Sequence, residues 1–365
     1  MKNTLGSSVA VTIFGESHGG AVGAVLDGLA PGIPVDEAFI SRQLDLRRPY
    51  GKISTARREP DTFEIAGGVF EGRTTGTPLC ILIPNTDTKS RDYAATRALA
   101  RPGHADYTAF AKYHGFEDYR GGGHFSARCT AALVAVGAVA VAALRGRNVF
   151  IGTHIARCGG VADREFLNLN TDSPMLNEKL VAVLDEARGE EMREKIAAAA
   201  EAGDSVGGVL ETAVTGLPAG VGEPWFDTLE GLLAHGLFSI PAVKGVQFGA
   251  GFDLVDARGS EFNDAFYMDG GTVKTKTNHN GGVNGGISNG MPVVFRCAVK
   301  PTPSIFKEQE TVDFLKGEDA VLQLKGRHDP AVVHRARVVA DSVTALVLCD
   351  ALAGRFGTDW LGGVS

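Results

Sequence analysis

The chain has 365 residues, 48 of them glycine, and a formal net charge of −7. Hydrophobic content of 44% and charged content of 22% describe a globular protein with enough material for a large core. Without a broad basic face it is excluded from the general nucleic-acid binders, which must neutralise many phosphates.

Residues 8–14 alternate weakly and predict a strand that ends in the turn Gly15-Glu16-Ser17-His18-Gly19, and 22–26 resume strand character. Residues 34–47 predict a helix that Asp36 can cap, with Ile40 and Leu44 at helical spacing. The stretch 49–60 is polar, basic and loop-like, and 63–70 and 78–83 read as a strand pair around GRTTGTP. A short helix is predicted over 107–113. A long apolar one follows over 126–144, with Ser126 placed to cap it. Its uncharged run, 129–144, falls short of the ~20 residues that span a bilayer, so it is read as buried inside the protein. No apolar leader segment marks the first residues as a signal peptide.

Further along, 150–155, 206–214, 246–252 and 291–299 predict strands, and 174–187, 190–202 and 226–233 predict helices, with Gly203 as a C-terminal stop. Residues 340–352 are apolar on nearly every face and predict a second buried helix. No strict strand–helix alternation and no linker is visible. The expected fold is therefore α+β, one domain over 1–365, with central buried helices between largely antiparallel sheets. Cys80, Cys129, Cys158, Cys297 and Cys349 show no CxxC pair, and an odd, scattered set predicts reduced thiols in a cytoplasmic protein.

Positive charge is local. Arg47, Arg48, Lys52, Arg57 and Arg58 form one cluster, and Arg327, Arg335 and Arg337 another. Basic pockets in an acidic protein suit a small anionic substrate held by a focused field. The densest chemistry lies in 100–128, where Arg101, His104, Arg120, His124 and Arg128 surround Gly121-Gly122-Gly123. Glycines let backbone N–H groups approach an anion, and arginines fork onto phosphate and carboxylate oxygens. Ser126 and the following helix start would add a dipole.

His18, between glycines, is a proton-transfer candidate, although alone it reads more readily as a surface or hydrogen-bonded core histidine. His104 follows Pro102-Gly103, and Asp106 either orients it or caps the next helix. His18, His104, His124 and His328 lack metal-binding spacings, and no metal is predicted. Neither a Walker A sequence nor a Rossmann glycine fingerprint is present. In 325–338, Asp329 beside Arg327 and His328 can take or return a proton, or the segment is a solvated strand edge. KPTPSI (300–305) offers Lys300, Thr302 and Ser304 in a rigid, helix-free stretch.

Together FGESHGG, GRTTGTP, RPGHADY, DYRGGGHFSAR, SIPAVKG, VNGGISNG, KPTPSI and GRHDP, in this order over 14–330, resemble the chorismate synthase family. The resemblance implies a β-α-β sandwich, a homotetramer, and reduced FMN (FMNH2) as cofactor. It implies a carbon–oxygen lyase of aromatic amino-acid biosynthesis. The reaction would be 1,4-anti elimination of phosphate from 5-enolpyruvylshikimate 3-phosphate (EPSP), giving chorismate. It implies His18 near the substrate phosphate, His104 near the flavin ring and Asp329 as the acidic residue assisting proton transfer. Arg47, Lys52, Arg101 and Arg128 match substrate-binding positions. His124, Phe125, Ser126, Pro241, Ala242, Gly285, Lys300, Pro301, Thr302, Pro303, Ser304 and Arg327 match flavin-contact positions. Many members carry GGGRSSAR where this chain has GGGHFSAR, so a fixed cation is replaced by a titratable ring. No reductase domain is visible; an external flavin reductase is the expected source of FMNH2, with NADPH as alternative reductant. A non-catalytic phosphometabolite- or flavin-binding protein on the same scaffold is the competing reading. Convergent arginines would repel one another without ligand, which predicts that 47–58 and 86–100 order when substrate and flavin bind.

Overall fold

The computed structural model describes residues 2–54, 60–86, 97–324 and 328–362. The first sheet holds β1 (Thr4–Leu5), β2 (Ala10–Gly15), β3 (Ala21–Asp27), β4 (Glu64–Gly67) and β5 (Leu79–Pro84), in the order β1-β2-β3-β5-β4. The second holds β6 (Phe150–Cys158), β7 (Val161–Ala162), β8 (Gly208–Thr215), β9 (Val243–Phe248) and β10 (Val293–Val299), in the order β9-β10-β8-β6-β7. Every pairing in both sheets is antiparallel.

Helices of eight or more residues include α1 (Glu37–Arg47), α2 (Asp106–Tyr113), α3 (Thr130–Arg145), α4 (Leu229–Phe238) and α5 (Val333–Phe356). α3 packs against β3 and β5 of the first sheet, α5 packs against β6 and β8 of the second, and the two helices pack on each other. This is the expected sandwich. A helix that is apolar all round must be covered on every side, and two sheets plus a partner helix do so. The segment 127–145 is long and apolar enough to cross a membrane, yet it is 89% buried inside the protein.

The close approach of α3 and α5 depends on Gly137. A methyl group there would lie 2.3 Å from Ser342 Cβ and 2.9 Å from its Cα. The positions of Ser342 Cα and Cβ are fixed by the α5 backbone, so a rotamer change cannot relieve the contact.

Three expectations need adjustment. The capped apolar helix begins later: Ser126 accepts from the Arg128 N–H at 3.3 Å, but it caps a tight turn over Ala127–Cys129, and the α-helix starts at Thr130. The helix expected over 174–187 is instead Leu169–Leu176. Beyond it the chain runs beside β6, where Ile155 N–H donates to Ala182 O at 2.8 Å. Asp163 accepts from the Leu184 and Asp185 N–H groups and fixes that path. Finally, α5 extends the predicted 340–352 helix by two turns into the charge-dense 333–338 segment, which is therefore no strand edge. Those charges are tolerated because they are paired: Arg337, fully buried, donates to Asp341 at 3.1 Å and to Lys179 O at 2.9 Å. The hairpins Phe266–Asp269/Thr272–Thr275 and Glu308–Asp313/Glu318–Gln323 carried no clear sequence signal.

Gly137→Ala should destabilise the fold by about 1–3 kcal/mol through overpacking, although alanine is the better helix former by about 1 kcal/mol. Urea unfolding measures this, and Ser342→Gly should recover part of the loss.

Candidate active site

One cavity of about 1130 Å³ dominates the described residues, and segments from both sheets and from α5 converge on it. His18 reaches it from the turn after β2. That turn is pinned from several directions: Asn85 Nδ2 donates to Glu16 O at 2.8 Å and to Gly19 O at 2.9 Å, and Ser17 N–H donates to Gly123 O at 3.0 Å. His104 reaches it from the loop before α2. The triple-glycine turn runs between the two imidazoles. A Cβ on Gly121 would fall 2.2 Å from His18 Cε1, and one on Gly122 would fall 3.1 Å from His104 Cε1. Both glycines have positive φ, 60° and 83°, which favours glycine at each, and at Gly121 a side chain would also displace the His18 ring. The segment leads through the tight turn Ala127–Cys129 into α3, and its Gly121 and Gly122 form the partition that the two histidines abut.

The cationic wall is built from ion pairs. Asp61 is fully buried and bridges Arg47, at 2.6 Å, and Arg128. Burial alone would raise the Asp61 carboxyl, but the Arg47 and Arg128 guanidiniums outweigh it and hold it below the usual carboxylate range. Arg128 also donates to Asn85 Oδ1 at 2.9 Å and Pro84 O at 3.1 Å, so it sits behind the wall and supports the His18 turn through Asn85. Arg335 donates to Asp329 Oδ2 at 2.5 Å and to Arg47 O at 2.8 Å. Arg101 is held by Asp106 at 2.6 and 2.7 Å.

Most of the expected residues meet here. His18, Arg47, Arg101, His104 and Asp329 line the cavity, as do His124, Phe125 and Ser126. So do Pro241 and Ala242, and Lys300, Thr302, Pro303 and Ser304. Ala242 has φ +75°, an unusual value for a residue with a side chain, in the turn that leads into β9. Lys300 donates to Gly103 O at 2.5 Å and ties the 300–304 segment to the His104 loop. His124 donates Nδ1–H to Gly15 O at 2.7 Å, closing the His18 turn, and Phe125 packs edge-on against Tyr113.

Arg128, Pro301 and Gly285 do not line the cavity. Gly285 lies in a small hairpin whose neighbour Gly286 accepts from Leu229 N–H at 2.8 Å and packs on Thr228. Arg327 and the stretches 55–59 and 87–96 lie outside the described residues, as does the side chain of Lys52.

Sequence reasoning passed over Asp61, Asn85, Ser17 and Glu117. Asp61 carried a signal, an acidic residue closing a basic loop, whereas Asn85 carried none. Among the described residues, Ser17 Oγ is buried without a hydrogen-bond partner beside Gly121, and Glu117 Oε2 is buried and unpartnered at the cavity.

In the first turn of α5, His334 is buried and pairs through Nε2 with Ser54 Oγ at 2.7 Å. Burial, reinforced by Arg335, pushes its imidazole down from 6.5 to about 4. The folded state therefore holds the ring neutral. Its stability contribution is complete above pH 6.5 and is lost as pH falls from 6.5 toward 4. Between pH 7 and pH 5 the wild type should lose about 2 kcal/mol more than His334→Gln in urea unfolding; equal losses would show that the ring is not held neutral. Asp61→Asn, which leaves two buried guanidiniums facing each other, should cost about 3–5 kcal/mol in the same measurement.

The profile of the chorismate synthase family matches residues 9–353. Chorismate synthase of Methanosarcina mazei is 46% identical over 349 residues, 95% of each chain. That of Archaeoglobus fulgidus is 46% identical over 350 residues, covering 96% of this chain and 97% of its own. That of Thermococcus kodakarensis is 43% identical over 350 residues with the same coverage. A crystal structure of a chorismate synthase superimposes with a TM-score of 0.76 at 29% identity, covering 96% of this chain and 94% of the other. With the two-sheet sandwich and the paired histidines already in place, these likenesses make the chain a member of the chorismate synthase family, a lyase of aromatic amino-acid biosynthesis.

Proposed function

We propose that the cavity binds EPSP and reduced FMN together and eliminates phosphate from the substrate in a 1,4-anti sense, giving chorismate. The observation that carries this reading is the placement of His18 and His104 on adjacent glycines of one wall, facing a cavity whose opposite lining is partly apolar and partly cationic.

The lining suits a flavin. Thr302 Oγ1 and His328 Nε2 are buried at the cavity with no hydrogen-bond partner among the described residues, and such atoms call for a polar ligand. Ile240, Pro241, Val332 and Val339 supply apolar surface beside them, which a planar ring system needs. Pro241 and Ala242 with Lys300, Thr302, Pro303 and Ser304 would hold it, Arg327 and Gly285 being carried as expected contacts. When bound, reduced flavin supplies the electron density that lets an allylic C–O bond break with no net redox change.

The chain's own residues do the rest. His18 gives its proton to the departing phosphate, whose charge Arg47 and Arg101 balance. Asp329, held by Arg335, faces the cavity as a proton acceptor. His104 presents the ring nitrogen that faces Gly122 as the one that takes or gives a proton. Arg128 works one step back, through Asn85 and the His18 turn. Lys52 is retained as a substrate contact.

Reduced FMN would come from a separate flavin reductase, with NADPH as the alternative reductant, and the protein would work as a homotetramer. Five free thiols, most of them buried, support a cytoplasmic location.

Anaerobic incubation of EPSP with dithionite-reduced FMN, followed at the chorismate absorbance, tests the reading. His104→Ala and His18→Ala should each reduce turnover by about 10²–10⁴-fold. Undiminished turnover in either would remove that residue from the mechanism. Activity with NADPH and oxidised FMN alone would replace the external reductase by an internal one.

A further inference from the structure

Asp106 is the first residue of α2, where an acidic side chain would ordinarily cap the helix or complement its dipole. It does not cap it. Its neighbour Ala105 occupies the capping position and makes no side-chain bond. Both Asp106 oxygens turn back onto the preceding loop. Oδ2 accepts from the Arg101 backbone N–H at 2.9 Å and from Arg101 Nε at 2.7 Å, and Oδ1 accepts from Arg101 Nη2 at 2.6 Å. The same Oδ1 lies 2.9 Å from His104 Nδ1. All three side chains are more than four-fifths buried.

We propose that Asp106 is a positioning residue: its carboxylate accepts Nδ1–H from His104, presents Nε2 to the cavity wall at Gly122, and with its other bonds fixes Arg101. The inference rests on the reading of His104 as a proton carrier. Electrostatics favours it over a purely structural role. His104 Nδ1 also lies 3.1 Å from Arg101 Nη2, and a guanidinium can only donate. Without Asp106, Nδ1 would face a donor alone. It would accept that bond, and the proton would move to Nε2. With Asp106, Nδ1–H faces an anion, and Nε2 is left to take or give a proton.

The geometry around Nε2 agrees. A Cβ on Gly122 would lie 3.2 Å from Nε2, so this nitrogen is directed at the partition between the histidines. The carboxylate is suited to the task. Burial raises Asp106, but the bonds from Arg101 and His104 outweigh that and hold it well below the usual carboxylate range, so it stays an acceptor. His328 also feels Arg101 and His104; burial first and then Arg101 lower it, which favours its neutral ring.

Two readouts test the proposal. In protein labelled with ¹⁵N-histidine, long-range ¹H–¹⁵N spectra report which ring nitrogen carries the proton, and His104→Ala assigns the signal. Wild type should show His104 protonated on Nδ1. Asp106→Ala should move the proton to Nε2, and Asp106→Asn, isosteric and the safeguard should the alanine variant not fold, should do so in part. An unprotonated Nδ1 in wild type, or a pattern that no Asp106 variant changes, overturns the proposal.

Turnover of EPSP is the second readout. Asp106→Asn should lower kcat by about 10²–10⁴-fold, and in a His104→Ala background it should lower it by less than about 3-fold, because one residue acts through the other. Additive losses would show that Asp106 acts apart from His104. If the wild type makes no chorismate, the lyase reading fails by itself, and the spectra still decide where the proton sits.

Discussion

A guanidinium keeps its charge wherever it is placed, so a cavity lined with buried arginines must be built around fixed anions. That constraint organises this protein. Asp61 stands between Arg47 and Arg128, Asp106 holds Arg101, and Asp329 holds Arg335. Each carboxylate is drawn from a different part of the chain, and each fixes its arginine before any ligand arrives. The cations still exceed the anions once Lys300 is included, which leaves a net attraction for a molecule bearing carboxylates and a phosphate. Pre-formed pairs alter the reason for expecting ligand-dependent order in the loops. Repulsion among bare arginines does not drive it, because within the described residues these arginines are not bare.

The sandwich makes this arrangement affordable in conformational terms. α3 and α5 fill the space between the sheets with small side chains, and the resulting core is continuous from one sheet to the other. Rigid elements then deliver the polar ends. The turn after β2 brings His18, the entry to β9 brings Pro241 and Ala242, the exit of β10 brings Lys300 to Ser304, and the start of α5 brings Asp329 and Arg335. No single element carries the site. It exists only where the ends of both sheets and the head of one helix meet.

Much of this was legible in the sequence, and the reasons are physical. The strands showed the alternation of a half-buried surface, and the two apolar helices could only be internal. The histidine turns were announced by their glycines. What stayed hidden depends on contacts between distant residues. Asp61 and Arg128 are far apart in sequence and nothing local pairs them. The two added turns of α5 carry His334, Arg335 and Arg337, and the burial of these groups is tolerated because Asp341, Lys179 O, Ser54 and Arg47 O provide partners. The misplaced helix over 174–187 had helical composition throughout. Asp163, reaching across to the Leu184 and Asp185 amides, overrode it.

The departure GGGHFSAR has a structural explanation of the same kind. His124 is not a free cation facing the ligand; its Nδ1–H is spent on the carbonyl of Gly15, the residue from which the His18 turn departs. Ser17 N–H, donating to Gly123 O, closes the other side of that turn. The glycine segment and the His18 turn are therefore stitched together by bonds on both flanks of Gly121, the position that abuts the His18 ring. A side chain that satisfies the Gly15 carbonyl keeps that geometry, and an imidazole does so without adding a permanent charge beside the other two histidines.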